Sequence, residues 1–91
     1  MSYEVKFSKG AKKQFRKLPL DVQERIQTKI NDLAIEPHPN GVKKLQGDDN
    51  SYRIRVGDYR VVYELDDDVL IVTVIKVGHR SEIYKGDAEN P

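Results

Sequence analysis

Apolar and polar residues alternate through Tyr52-Arg53-Ile54-Arg55-Val56 and again through Tyr59-Arg60-Val61-Val62-Tyr63, on either side of Gly57-Asp58. A period of two marks a half-buried strand, and a glycine first in a two-residue loop suits a type II′ turn, so the stretch predicts a β-hairpin. In that register Val56 faces Tyr59, Arg55 faces Arg60, Ile54 faces Val61, Arg53 faces Val62 and Ser51 faces Glu64. Tyr52, Ile54, Val56, Tyr59, Val61 and Tyr63 then share one face of the ribbon, and Arg53, Arg55 and Arg60 share the other.

The same test applied along the chain gives the remaining elements. Tyr3-Glu4-Val5-Lys6-Phe7 alternates and predicts a strand with Tyr3, Val5 and Phe7 inward. Ser8 is then suited to N-cap a short helix, whose apolar side is Ala11, Phe15 and Leu18 and which Pro19 ends. Asp21 and Glu24 have the spacing of a capping box, followed by Val22, Ile26, Ile30, Leu33 and Ala34 at helical spacing up to Glu36-Pro37. The two helices, joined through Leu18-Pro19-Leu20, form a helical hairpin. Phe15, Ile26, Ile30 and Leu33 read as core.

From Glu36 to Asn50 the prolines, glycines and Asp48-Asp49-Asn50 predict a loop anchored by Leu45. Asp66-Asp67-Asp68 predicts a turn, and lacks the glycine and distal glutamate of a calcium loop. Val69 to Val77 is nearly continuous β-branched sequence, as in a central strand. Gly78-His79-Arg80 is expected at the end of that strand, and residues 85–91 as a loose tail. The order is β-α-α-β-β-β, an α+β fold with the helical hairpin packed on one face of a small, mostly antiparallel sheet. The 91 residues are expected to form a single domain, 1–91.

Composition narrows the chemistry. There is no cysteine, so no disulfide framework or Cys-based metal site is available, and a reducing cytoplasm is the natural compartment. His38 and His79 lie far apart without a carboxylate at ligand spacing, which argues against a metal centre. His38, between two prolines, reads as a loop residue. No apolar run approaches a membrane span, and the N-terminus lacks the pattern of a secretion signal.

The net charge of +1 conceals an uneven distribution: residues 1–17 carry six basic side chains against Glu4. Lys12, Lys13, Arg16, Lys43 and Lys44 are the candidates for a nucleic-acid surface, although a solvated helix face would look the same. Arg55 opposite Arg60 is harder to place, because like charges across a strand pair repel. Three arginines on a solvated face are one reading. The other is a polyanion site, where a phosphate between the guanidiniums turns repulsion into charge-assisted hydrogen bonding.

Phe15-Arg16-Lys17-Leu18, Lys44-Leu45-Gln46-Gly47, Ser51-Tyr52-Arg53-Ile54-Arg55, Asp58-Tyr59-Arg60-Val61-Val62-Tyr63, Val77-Gly78-His79-Arg80 and Ile83-Tyr84, in this order, resemble the RelE/ParE superfamily of bacterial toxins, and the RelE branch most. The resemblance covers residues 3–84. It implies a metal-independent endoribonuclease, without cofactor, that cuts mRNA in the ribosomal A site and is silenced by a RelB-like antitoxin. It places the functional cations on Arg53, Arg55, Arg60 and Arg80 and the C-terminal tyrosine on Tyr84.

RNA cleavage without a metal needs a base for the 2′-hydroxyl, positive charge at the phosphorane and an acid for the 5′-oxygen. Arginine supplies the charge but stays protonated, leaving Tyr84, and second to it His79, as groups able to exchange a proton. Without the resemblance, Tyr84 reads equally as an aromatic closing the edge of the core. The superfamily also implies two alternatives: a ParE-like inhibitor of DNA gyrase that is no nuclease, and an RNA-binding relative that has lost catalysis.

Overall fold

The structure, a computed structural model, describes residues 2–37, 43–44 and 51–85. His38, Leu45 and the tail beyond Lys85 lie outside the described residues. The elements are β1 (Glu4–Phe7), α1 (Lys9–Arg16), α2 (Leu20–Ile35), β2 (Lys43–Lys44), β3 (Ser51–Val56), β4 (Tyr59–Asp66), β5 (Ile71–His79) and α3 (Arg80–Lys85). The sheet order is β1-β5-β4-β3-β2, with β1 parallel to β5 and every other pair antiparallel. The α+β architecture is the expected one, with β2 and α3 added.

Local chemistry sets the helix ends. Ser8 N-caps α1, its Oγ accepting from the Ala11 N–H at 3.1 Å. The expected capping box on α2 does not form: Pro19 occupies the N-cap position and Asp21 lies in the first turn. Pro19 enters extended, at ψ 150°, its carbonyl accepts the Gln23 N–H at 2.9 Å, and the Gln23 amide donates to the Leu18 carbonyl at 2.9 Å. One glutamine therefore ties the end of α1 to the start of α2, and the helix begins two residues before Asp21 could cap it. The charge of Asp21 still complements the positive helix end.

The β3–β4 register matches the sequence expectation at all five pairs. Gly57 has φ +61°, and among the described non-glycine residues only Leu70 has positive φ, as a type II′ turn with Gly57 first requires. Strand β5 starts at Ile71, two residues later than expected, because Leu70, at φ 58°, belongs to the turn that Asp66 closes by accepting the Asp68 N–H at 3.1 Å. Lys43 and Lys44, expected in a loop, pair with Arg53 and Tyr52 as an edge strand. Arg80, expected to end the long strand, begins α3.

The register of β4 against β5 slips: Val62 pairs with Lys76 but Tyr63 pairs with Val74, leaving Ile75 as the extra residue of a bulge. The bulge flips the alternation of β5. Val72, Val74 and then Val77 face the helices, and Gly78 falls on the far face beside its partner Arg60.

One core results, with Ala11 of α1 and Ile26, Ile30 and Leu33 of α2 against Ile54, Val56, Val61, Tyr63, Val72, Val74 and Val77. Each fully buried aliphatic side chain contributes roughly 1.5–3 kcal/mol. Phe15 is partly buried, its ring edge-on to Phe7 at 5.5 Å. Val62 and Ile83 are also buried but lie outside this cluster, and Ile83 of α3 fits against the bare backbone of Gly78.

Tyr63 is fully buried, and its hydroxyl donates to the Pro37 carbonyl at 2.7 Å. Burial pushes the phenol well above the usual tyrosine range, with Tyr52 and Glu36 adding to the shift. A group raised in the folded state contributes stability below its unfolded pKa, about 10 for tyrosine, and loses it as pH rises further. Tyr63→Phe is expected to cost about 1 kcal/mol at neutral pH and to flatten the alkaline fall in stability; urea unfolding of both proteins between about pH 8 and about pH 11 checks both. Tyr3 is raised too, chiefly by its hydrogen bond to Asp67, and adds to the alkaline slope.

Gly57 gives a second test. A Cβ built there lies 2.6 Å from Nη2 of Arg25, whose guanidinium covers the turn from α2. Arg25 is flexible and can give way, whereas φ +61° cannot be relieved without rebuilding the turn. Gly57→Ala should therefore lower stability by about 1 kcal/mol, and Gly57→Asn, which tolerates positive φ, by less; a thermal unfolding series that ranks them otherwise refutes the assignment.

Candidate nucleic-acid interface

The hairpin places Arg53 and Arg55 on β3 and Arg60 on β4, all on the face away from α1 and α2. Arg55 lies directly opposite Arg60, Arg60 lies opposite Gly78, and Arg53 is in register with Lys43 of β2. One cross-strand row thus runs Arg55, Arg60, Gly78, and the missing side chain of Gly78 leaves room for Ile83 beside the arginines.

The three arginines differ in environment. Arg55 is exposed and Arg53 half-buried, whereas Arg60 retains only 7% of its surface. Its Nη1 donates to the carbonyls of Gly57 at 3.1 Å and Tyr59 at 3.0 Å, so the guanidinium curls back over the turn. Folding therefore has its own use for Arg60. The two bonds occupy Nη1 alone, and Nε and Nη2 retain the other donors of the fork.

The turn is also the anchor of α3. The Arg80 N–H donates to the Asp58 carbonyl at 2.8 Å, which brings the exposed Arg80 to the end of the hairpin that holds Arg55 and Arg60. Tyr84 lies in the same six-residue helix. Four arginines thus come from three elements joined at Gly57-Asp58, a concentration of positive charge suited to a phosphodiester or to a phosphorane that gains negative charge.

His79 lies elsewhere. Its ring packs edge-on to Tyr59, centroids 5.5 Å apart and planes at 82°, and Tyr59 belongs to the helix-facing side. Both line a groove of about 620 Å³ between the α1–α2 connection and the β5–α3 corner, with Gln14, Lys17, Lys76 and Glu82 among its walls. None of the four arginines lines it. The Gln14 side chain closes the sheet there, its Oε1 accepting the Val77 N–H at 2.8 Å where β1 has ended.

Lys12, Lys13 and Arg16 are exposed on α1 and, with Lys9 and Gly10, border a shallow groove of about 490 Å³. Because α1 packs on the opposite side of the sheet, this basic stripe and the arginine hairpin are two surfaces. The contributions of Arg25, Gln14 and the Asp58 carbonyl were not legible in the sequence, since each depends on tertiary contact. Among the described residues no group of three or more His, Cys, Asp or Glu side chains could hold a metal, and no helix is long and apolar enough to cross a membrane.

Residues 5–84 match the family model described as the ParE toxin of the type II toxin-antitoxin system parDE. The chain is similar to the mRNA interferase toxin RelE of Escherichia coli, 35% identical over 88 residues that cover 92% of each protein. In structure it is similar to the isolated E. coli RelE toxin, with TM-score 0.78 and 34% identity over 93% of this chain and 94% of that one. It is equally similar to the archaeal RelE–RelB complex from Pyrococcus horikoshii, with TM-score 0.78 and 33% identity over 88% of this chain and 97% of that one.

Proposed function

The chain belongs to the RelE/ParE superfamily of type II toxins, on its RelE-type branch, and from that membership we propose that it is a ribosome-dependent endoribonuclease cleaving mRNA in the ribosomal A site. The observation that carries the reading is the hairpin turn, where Arg55 faces Arg60 and the Asp58 carbonyl holds the backbone of Arg80. Arg53, Arg55, Arg60 and Arg80 bind the scissile phosphate and stabilise the phosphorane formed when the 2′-oxygen attacks phosphorus. The 5′-oxygen then leaves with a proton, giving a 2′,3′-cyclic phosphate and a 5′-hydroxyl end.

Tyr84 is the protein group assigned to proton exchange, because arginine stays protonated and cannot serve. The site is deliberately incomplete: it has charge in excess and few groups that titrate near neutrality, so the ribosome must orient the mRNA and complete the proton path. Lys12, Lys13 and Arg16 supply basic contacts to ribosomal RNA from outside the arginine face, and Lys43 and Lys44 add to them. The inhibitory partner is a RelB-type antitoxin, in keeping with the archaeal complex, whose acidic or helical segment covers the arginine face or displaces Tyr84.

The match to the ParE model favours one further reading, inhibition of DNA gyrase, which needs no phosphate chemistry. Mapping 5′ ends of mRNA on translating ribosomes, beside a gyrase supercoiling assay, separates the two. Arg55→Ala, an exposed position whose truncation spares the fold, is expected to slow A-site cleavage about 100-fold. Inhibited supercoiling without new mRNA ends would transfer the chain to the gyrase class, and rapid cutting of free single-stranded RNA would refute ribosome dependence.

A further inference from the structure

Strand β5 passes into α3 without a linker: His79 is its last residue and Arg80 the first of the helix. His79 thus stands at the N-cap, and the Ser81 N–H donates to its Nδ1 at 3.2 Å, while the Ser81 hydroxyl lies 2.9 Å from the same nitrogen. A backbone N–H can only donate, so Nδ1 must present its lone pair and the ring proton sits on Nε2. With the Arg80 N–H on the Asp58 carbonyl, the first two donors of α3 are both satisfied from outside the helix.

A six-residue helix has no stability of its own, and among the described residues α3 is held by these two bonds and by Ile83 against Gly78. The edge-on contact with Tyr59 orients the imidazole, and the β5 bulge turns it away from the arginines. We propose that His79 is a positioning residue: as a neutral imidazole cap it seats α3 against the hairpin turn and so sets Arg80 and Tyr84 relative to Arg55 and Arg60. The functional half of this inference rests on the nuclease reading above.

The cap is sensitive to protons. Protonation places a hydrogen on Nδ1, removes the acceptor of the Ser81 N–H and sets a cation at the positive end of a helix. The groups that line the groove around the ring are Lys17 from α1, Lys76 from β5, Glu82 from α3 and the Tyr59 phenol from β4, with Arg80 next in sequence. Acid therefore loosens the start of α3 while the hairpin, which contains no titrating imidazole, keeps its shape.

The test compares wild type with His79→Phe, which can pack on Tyr59 but cannot accept, and His79→Asn, which caps without titrating. On ribosomes programmed with mRNA, His79→Phe should lower the single-turnover cleavage rate about three- to tenfold at neutral pH, the weight of one N-cap, and His79→Asn should restore it to within about twofold. Between about pH 5.5 and about pH 8.5 the wild type should lose rate in acid by a step that His79→Asn lacks. Asparagine as poor as phenylalanine overturns the proposal and makes the imidazole itself the proton-transfer group, whereas an acid step unchanged in His79→Asn overturns it by placing the titrating group elsewhere. If wild type cleaves nothing, the nuclease reading falls and the cap is judged alone: the Ser81 amide must lose hydrogen-exchange protection in His79→Phe and keep it in His79→Asn. Imidazole nitrogen shifts must report the Nε2–H tautomer, and the Nδ1–H form overturns the cap outright.

Discussion

An arginine in a strand must either reach water or bond to protein, and Arg60 does the second with the carbonyls of its own hairpin. Bonds to a charged donor contribute about 1.5–3 kcal/mol each, whereas a like-charged cross-strand pair costs some fraction of about 1 kcal/mol. The carbonyl bonds therefore outweigh the repulsion from Arg55, and the two cations are held at a fixed register. The same turn bonds the backbone of Arg80 and lies against Arg25. Were Gly57 to leave the left-handed region, Arg60 would lose an acceptor and α3 a neighbour together.

The bulge in β5 is the second determinant. Without it, alternation from Val72 and Val74 would send Lys76 and Gly78 into the core and put Val77 and His79 beside the arginines. Inserting Ile75 reverses that assignment: Val77 fills the core, His79 meets Tyr59, and Gly78 gives Ile83 its place on the arginine face. One extra residue thus separates the titratable ring from the fixed cations. It also explains how α3 can sit next to Arg60 although the strand before it is mostly buried.

This divides what could be seen in the sequence from what could not. The hairpin register was legible because alternation and a turn glycine agree, and a slip of one residue would have put three arginines in the core. The inward residues of α2 and the cap at Ser8 were legible for the same reason, each being fixed by neighbours within one turn. The bulge was not, since Val69 to Ile75 is almost entirely apolar or β-branched and carries no phase to read. The capping box failed because Pro19 and Gln23 offered a competing helix start, and β2 and α3 are too short to leave a periodic signature. The fold of Arg60 onto its turn required the turn to exist first.

The site that emerges has parts of unequal firmness. The cations of β3 and β4 belong to a sheet backed by the main core, whereas α3, among the described residues, rests on two hydrogen bonds and one buried side chain. Under the nuclease reading, phosphate binding is assigned to the firm part and proton transfer to the weak one. Charge–phosphate contacts form at whatever geometry the sheet provides, but proton transfer fails once donor and acceptor separate by more than a hydrogen bond. On that reading, a partner that shifts α3 by a single turn would abolish cleavage without having to neutralise four guanidiniums. An acidic segment laid over the hairpin reaches the same end by competing with RNA for charge, and only that route weakens as salt rises.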